Sequence, residues 1–146
     1  MLKRLQLIAK ISLSEWLVFF QFLFFLLMIK VALAWVRMPR LVRLINWCAG
    51  NHFLQCLPFF SFRCEKTRLL GLASLATRVM CGTQGCLPRS LLVFWLLKSR
   101  REPVSLRIGV NKEGASLQAH AWVETQGIVL NDDPEQVQRF APLFHS

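Results

Sequence analysis

The hydrophobic pattern opens with a long apolar stretch in the N-terminal part of the chain. From Trp16 to Ile29 every residue except Gln21 is apolar, and after Lys30 the apolar run resumes from Val31 to Val36. A bilayer span needs about 20 apolar residues, whereas runs of about 10–14 residues are more typical of buried or interfacial helices. We therefore expect one helix here that packs on the protein or lies at a membrane surface, without crossing a bilayer.

Helical patterns continue through the middle of the chain. Pro39 should end the first helix, because proline lacks an amide hydrogen and clashes with the preceding turn, and Arg40 to Trp47 restarts the pattern. Leucines and alanines recur at helical spacing from Thr67 to Met80. The segment from Cys86 to Leu97 is apolar nearly all round. Such a pattern predicts a central buried helix.

Shorter elements are predicted in the last third of the chain. Val104 to Val110 and Leu117 to Glu124 have the composition and rhythm of strands, and Asn111 to Ala115 is a polar turn between them. Gln126-Gly127 is a tight turn, because glycine tolerates a positive φ, so Ile128 to Asn131 becomes the return strand. The order predicts an α+β fold, in which the central helix packs on a small antiparallel sheet.

Composition adds a lopsided charge to this picture. The 146 residues are enough for one domain with a sizeable core. Residues 1–101 contain 15 Lys and Arg and 2 acids, a net +13, whereas residues 102–146 contain 3 and 6, a net −3, which together give the total of +10. A basic half can meet an anionic lipid surface or an acidic peptide. Nucleic acid is disfavoured, because the basic residues fit no recognition helix or stacking platform.

The five cysteines favour a reducing compartment. Their number is odd and the chain shows no secretory signal, so we expect a cytoplasmic protein, with membrane association as an option, and at least one free thiol. Cys48, Cys56 and Cys64 lie near His52, but the paired short spacing of zinc modules is missing, and buried structural thiols are the favoured interpretation. The roles of these three and of Cys81 stay open. Because the chain also lacks a phosphate loop, no cofactor is expected.

Cys86 is the candidate nucleophile. It follows a glycine turn and precedes Pro88, a residue that suits the first turn of a helix, so the thiol should lie at a helix N-terminus. The positive end of the helix dipole favours the thiolate, and the unpaired amides there can receive a developing oxyanion. With His120 on a predicted strand and a carboxylate near it, the parts of a cysteine nucleophile system are present.

The carboxylate beside His120 is either Asp132 or Asp133. Both follow the return strand of the hairpin that carries His120. In such a hairpin a two-residue loop places Asp133 opposite His120, whereas a three-residue loop places Asp132 there. Hairpin geometry alone does not choose between them.

Four motifs resemble the lasso-peptide biosynthesis B protein family in its stand-alone leader-peptidase form, which belongs with the transglutaminase-like and papain-like cysteine enzymes. The resemblance is strong over residues 78–133 and looser before them. It implies Cys86 as nucleophile, His120 as acid and base, and Asp132 as the orienting acid, since the twelve-residue interval between the last two fits the family. The motifs are Cys86-Leu87-Pro88-Arg89-Ser90-Leu91, Ile108-Gly109-Val110, Ala119-His120-Ala121-Trp122-Val123-Glu124 and Gly127-Ile128-Val129-Leu130-Asn131-Asp132.

The resemblance also implies a domain plan and partners. Residues 67–146 would form the transglutaminase-like protease core, and residues 1–66 a basic apolar helical region able to contact a membrane. The substrate would be the leader of a ribosomally made lasso precursor, and the freed amine would pass to an ATP-dependent cyclase of the asparagine-synthetase type. Some relatives carry a fused winged-helix domain that binds the leader; the region here is too short for one, so a separate leader-binding protein is implied.

Two other functions are alternatives to the peptidase. One uses the same catalytic residues, and the other is not catalytic. A transglutaminase-type acyl transferase would pass through the same acyl-thioester as a peptidase. A non-catalytic, membrane-associated protein would only bind peptide. The neighbouring open reading frames would discriminate among these functions, since a precursor, a leader-binding protein and a cyclase beside the gene favour the peptidase.

Overall fold

A computed structural model of the chain describes residues 12–51, 65–82, 85–113 and 116–145. Four longer helices pack beside a four-stranded antiparallel sheet. This is the predicted α+β fold, and it is confirmed. In chain order the elements are α1 (Leu13–Trp35), α2 (Met38–Gly50), α3 (Lys66–Cys81), α4 (Cys86–Ser99), β1 (Ser105–Glu113), β2 (Ser116–Thr125), β3 (Ile128–Val129), α5 (Pro134–Val137) and β4 (Ala141–His145).

Helix α1 packs on the protein along one side. Its start is capped by a reciprocal pair, in which the Ser12 amide donates to the Glu15 carboxylate at 2.8 Å. Glu15 also forms an ion pair with Arg68 of α3, at 3.0 Å. By length and composition α1 is the one helix among the described residues that could cross a membrane, and a third of its most apolar window is buried inside the protein.

The central helix α4 is buried as its pattern predicts. Leu91, Leu92, Phe94, Leu96 and Leu97 have no exposed surface. They share one core with apolar side chains of α1, α2, α3, β1 and β2. The division of the chain into a helical region, residues 1–66, and a protease core, residues 67–146, stays a prediction. Three parts of the sequence analysis lie outside the described residues: Met1 to Lys10, Cys56 and Cys64.

The sheet has the strand order β3-β2-β1-β4, all antiparallel. Strands β1 and β2 pair over their full lengths, from Ser105 opposite Glu124 to Glu113 opposite Ser116. The sequence predicted a polar turn from Asn111; this was wrong, because the ladder continues through residues 111–113 despite their polarity. Cross-strand pairing outweighs local composition at an exposed hairpin end.

Candidate active site

Cys86 is the first residue of α4, and Gly85 precedes it at the N-cap. The first hydrogen bond of the helix runs from the Arg89 amide to the Gly85 carbonyl at 3.0 Å. The amides of Cys86 and Leu87 therefore belong to the end of the helix whose N–H groups have no partner within it. Such a position stabilises negative charge on the sulfur.

Gly85 is needed because α3 passes directly behind it. A Cβ at this position would lie 2.3 Å from Cγ2 of Thr77 and 3.1 Å from Cβ of Cys81. Thr77 is buried, and its hydroxyl donates to the Ala73 carbonyl at 2.8 Å, so it has little freedom to move away. The close approach of the two helices thus fixes where the thiol stands.

Gly85→Ala should therefore displace the start of α4 and destabilise the protein by about 1–3 kcal/mol, the usual cost of overpacking. Thr77→Ser removes the clashing methyl group and keeps the hydroxyl, so Gly85→Ala combined with Thr77→Ser should recover part of the loss. Urea unfolding of the two single variants and the double variant measures this coupling. Additive effects in the double variant would contradict the proposed contact.

His120 lies between a carboxylate and the thiol. Its Nε2 is 2.8 Å from Oδ2 of Asp132, and the same ring is hydrogen-bonded to Cys86. Because Nε2 is engaged with Asp132, Nδ1 is the nitrogen left for the thiol. The structure thus places the three predicted residues in line, in the order thiol, imidazole, carboxylate.

The hairpin loop that precedes Asp132 contains two residues, since Thr125 pairs with Ile128. Gln126 and Gly127 both have positive φ, 48° and 82°, as tight hairpin turns require. The loop-length argument would then place Asp133 opposite His120, but it is Asp132 that contacts the imidazole.

The loop-length argument fails because it assumed a longer return strand. Pairing in β3 ends at Val129, two residues before the end predicted for it. The chain then bends, so Asp132 reaches His120 from a loop and not from the sheet. Asp133 instead caps α5, accepting from the Glu135 amide at 3.0 Å.

The side chain of Asn131 bonds to β2 at the level where the predicted return strand would have paired. Its Oδ1 accepts from the Val123 amide at 2.8 Å, and its Nδ2 donates to Oγ of Ser90 at 2.9 Å. Ser90 is fully buried on α4 and donates to the Ala121 carbonyl at 2.8 Å. One side chain therefore joins the loop of Asp132, the strand of His120 and the helix of Cys86.

Asn131→Ala should leave the Val123 amide without its acceptor and deprive Ser90 of a donor. Each unsatisfied buried group costs about 1–3 kcal/mol. We expect a clear loss of stability and, since the loop loses its anchor, a loss of turnover larger than the fraction of unfolded protein explains. Thermal unfolding and activity should be measured together; Asn131→Asp keeps the acceptor alone and should lie in between.

Arg89 is a second partner of Asp132. Its Nη2 is 2.6 Å from Oδ2, and both side chains are mostly buried. The charge of Arg89 is therefore paired within the site. Since Arg89 lies one turn after Cys86 on α4, the same helix supplies the thiol and holds the carboxylate.

The electrostatics of the three groups favour a thiolate and an imidazolium. The hydrogen bond with His120 lowers the pKa of Cys86 most, and burial opposes it. The hydrogen bond with Asp132, followed by that with Cys86, raises the pKa of His120 to about 9. Burial acts to raise the pKa of Asp132, but the hydrogen bonds from His120 and from the Asp133 amide, and the charge of Arg89, bring it below its ordinary value.

Two aromatic rings hold the imidazole in place. The ring centroid of Phe140 is 5.0 Å from that of His120, and that of Trp122 is 6.4 Å away, both nearly parallel to it. Gly109 lies opposite His120 in the ladder. A Cβ there would come within 2.9 Å of both Phe140 and Trp122, so the glycine provides the space for these rings.

The three residues border an open cavity of about 1160 Å³. Its walls come from α3, the start of α4, β2 and the loop after β3, and they include two arginines, Arg78 and Arg89. Among the described residues no group of three His, Cys, Asp or Glu could hold a metal ion.

The sequence predicted Cys86, His120 and Asp132 as site residues, but it did not predict the side chains that hold them in position. Arg89 could have been found from its position three residues after Cys86, which puts it on the same helix face. Asn131 and Phe140 gave no signal, because their roles depend on a strand that ends early and on a chain terminus that returns as β4. Gln84, two residues before Cys86, lies outside the described residues. Glu124, near the end of β2, is mostly buried and pairs with Arg107 at 2.6 Å.

One of three comparisons with known proteins gave a match. A family model described as the transglutaminase-like superfamily matches residues 65–145, more than half of the chain. The match runs from the start of α3 to the end of β4 and includes Cys86, His120 and Asp132. Comparison with curated proteins and with solved structures gave no match. Such a superfamily match suggests activity of the cysteine-protease or acyl-transferase type.

Proposed function

We propose that this chain, which belongs to the transglutaminase-like superfamily, is a cysteine peptidase. Its reaction would remove the leader from a lasso-peptide precursor. The observation that carries the chemistry is the line from Cys86 through His120 to Asp132 at the edge of an open cavity. The lasso precursor as substrate rests on the resemblance of the motifs around these residues.

In this mechanism the Cys86 sulfur attacks the scissile carbonyl carbon. The amide of Cys86, at the helix start, can donate to the developing oxyanion. As the C–N bond breaks, the imidazolium of His120 gives its proton to the leaving amine, and an acyl-thioester remains. Water then attacks the thioester, its proton passes to His120, and the thiolate leaves. Asp132 holds the ring and stabilises the imidazolium throughout.

The edge of β2 at Ala119 supports a peptide as substrate, since the edge is already bonded at Val123 by the loop after β3 and at Ala121 by Ser90. The Val123 amide and carbonyl face away from β1, since they bond to Asn131 and Leu130. Strand alternation gives Ala119 the same orientation, and Ala119 lines the cavity. An extended peptide can pair there as an added strand, because β3 ends before reaching this level. Its scissile bond would then pass close to Cys86.

The partners are part of the same proposal. A separate protein would bind the leader and present it, and an ATP-dependent cyclase of the asparagine-synthetase type would consume the freed amine. The cyclase would act only after cleavage, so the peptidase chemistry can be tested with the precursor and the leader-binding protein alone.

The test is cleavage of a lasso-peptide precursor, with a leader-binding protein present, in water enriched in ¹⁸O and with an added primary amine. Hydrolysis puts ¹⁸O in the new leader carboxylate, which mass spectrometry detects. Incorporation of the amine instead would favour the acyl transferase. Binding of the precursor with neither product would favour the non-catalytic alternative.

The pH dependence of kcat/KM should be bell-shaped. As the pH rises through about 9, His120 loses the proton that the leaving amine needs, and as it falls through the lowered pKa of Cys86 the thiolate is lost. Asp132→Asn removes the largest cause of the raised His120 pKa, so the alkaline limb should move down toward 6.5. Rates of Cys86 alkylation, which needs the thiolate but no proton donor, give the acid limb without substrate; an unmoved alkaline limb of kcat/KM in Asp132→Asn would contradict the assignment.

The same shift affects stability. Because the folded-state pKa of His120 lies above its ordinary value of 6.5, the contribution of His120 to stability is fully present below pH 6.5 and is lost as the pH rises through about 9.

A further inference from the structure

Helix α1 carries a second apolar face that points away from the protein. This α1 outer face consists of side chains that are 46–87% exposed and all apolar: Leu13, Leu17, Phe20, Phe24, Leu27, Met28, Val31 and Trp35. At 1.5 Å per residue the face is about 33 Å long. Isolated exposed apolar residues need no explanation, but a continuous stripe marks an interaction surface.

The opposite side of α1 belongs to the core. Val18, Phe22, Leu26 and Ile29 are at most 5% exposed and pack with side chains of the other helices. A helix surrounded by lipid would have to withdraw these side chains from the core. Contact with a membrane can therefore use only the outer face, with the helix axis parallel to the surface.

Basic residues continue the surface beyond the end of α1. Arg37 is exposed, and on α2 the exposed Arg40, Arg43, Leu44 and Trp47 recur at the spacing of one helix face. Residues 12–51 contain four Lys and Arg and one acid, a net +3. The acid, Glu15, is already paired with Arg68. The charge next to the apolar face is therefore positive and complements an anionic surface.

A lipid surface fits this face better than a protein does. Protein interfaces carry about one hydrogen bond per 100–200 Å², whereas the α1 outer face offers only the indole of Trp35 at its end and, beside Phe20, that of the exposed Trp16. Tryptophan is enriched at the membrane–water boundary, and two exposed tryptophans flank the arginines in the sequence, Trp35 before Arg37 and Trp47 after Arg43. Basic side chains are attracted to anionic lipid headgroups that lie within about a Debye length of them.

We propose that the α1 outer face lies in the interfacial layer of an anionic membrane, with Arg37, Arg40 and Arg43 at the lipid phosphates. This attachment places the cavity of Cys86 on a membrane-bound protein and does not depend on which reaction that site performs.

Co-sedimentation of the full chain with vesicles tests the proposal, with a sample without vesicles to exclude self-aggregation. We expect binding to mixed phosphatidylglycerol and phosphatidylcholine vesicles and much weaker binding to pure phosphatidylcholine. Phe20→Glu with Phe24→Glu should abolish binding. Since one basic residue contributes about a fivefold change, neutralising the pair in Arg40→Gln with Arg43→Gln should weaken binding on the order of 25-fold.

The matched control is Leu143→Glu, which changes an equally exposed apolar side chain on β4, 72% exposed, and should bind like the unchanged protein. Circular dichroism confirms that each variant is folded. Equal binding by the Phe20→Glu, Phe24→Glu variant would overturn the proposal, as would binding of the unchanged protein to a soluble partner but not to vesicles. Release of the bound protein by alkaline carbonate supports the in-plane helix, and retention would mean a span and contradict it.

Discussion

Cys86→Ala should abolish cleavage of the precursor, with a loss on the order of a millionfold, because no acyl-thioester can form without the sulfur. The fold should survive, since the side chain is half-buried and the alanine suits the first turn of a helix. The measurement is product formation by mass spectrometry, at enzyme concentrations high enough to detect the residual rate.

Cys48→Ala and Cys81→Ala are the matched controls, because both thiols are free and partly exposed. Each should retain near-normal turnover, and the same is predicted for Cys56→Ala and Cys64→Ala. Iodoacetamide gives an independent check: Cys86 should react first, since its pKa is lowered, whereas burial raises the pKa of Cys48. Preferential labelling of Cys48 or Cys64 would contradict the assignment of the nucleophile.

Asp132→Asn should reduce kcat by about four orders of magnitude while the protein stays folded. The amide matches the carboxylate in shape but carries no charge, so the imidazolium loses its stabilisation and the ring can adopt the wrong tautomer. Arg89 loses its charge partner in the same variant, so a modest loss of stability is also expected. Cleavage kinetics and circular dichroism separate the two effects.

Asp133→Asn is the matched control one residue away. Asp133 caps α5 through the Glu135 amide, and asparagine is an equally good N-cap, so this variant should be nearly normal. A crippled Asp133→Asn beside a near-normal Asp132→Asn would mean that the hairpin register continues beyond Val129 in solution. The pair therefore tests both the carboxylate and the early end of β3.

The helices and the site positions of Cys86 and His120 could be predicted from the sequence, because both have local signals. A turn signal before Cys86 and the apolar run after it predict a helix start at the thiol, and the hairpin around Gln126-Gly127 brings His120 back toward its aspartates. The choice of Asp132 came from the resemblance; hairpin geometry, taken with the observed two-residue loop, would have favoured Asp133.

The support of the site could not be predicted because it depends on tertiary contacts. Past Val129 the Val123 amide donates to the side chain of Asn131 and not to a backbone carbonyl, and the same side chain donates to Ser90. Phe140 stacks on His120 from the residue before β4, a strand that pairs with β1 across a register shift between Ile108 and Gly109. No pattern of apolar and polar positions encodes either event.

The complete burial of α4 has a consequence for how the protein tolerates mutation. From Ser90 to Leu97 every side chain except Trp95 is buried, so a scan of polar substitutions should find an unbroken block of intolerant positions there, with no helical period. In α1 the same scan should find intolerance recurring every three to four residues, at Val18, Phe22, Phe25, Leu26 and Ile29. For folding alone, α1 can therefore accept polar residues along its outer face, at the expense of the proposed membrane contact, whereas the buried segment of α4 accepts them at almost no position.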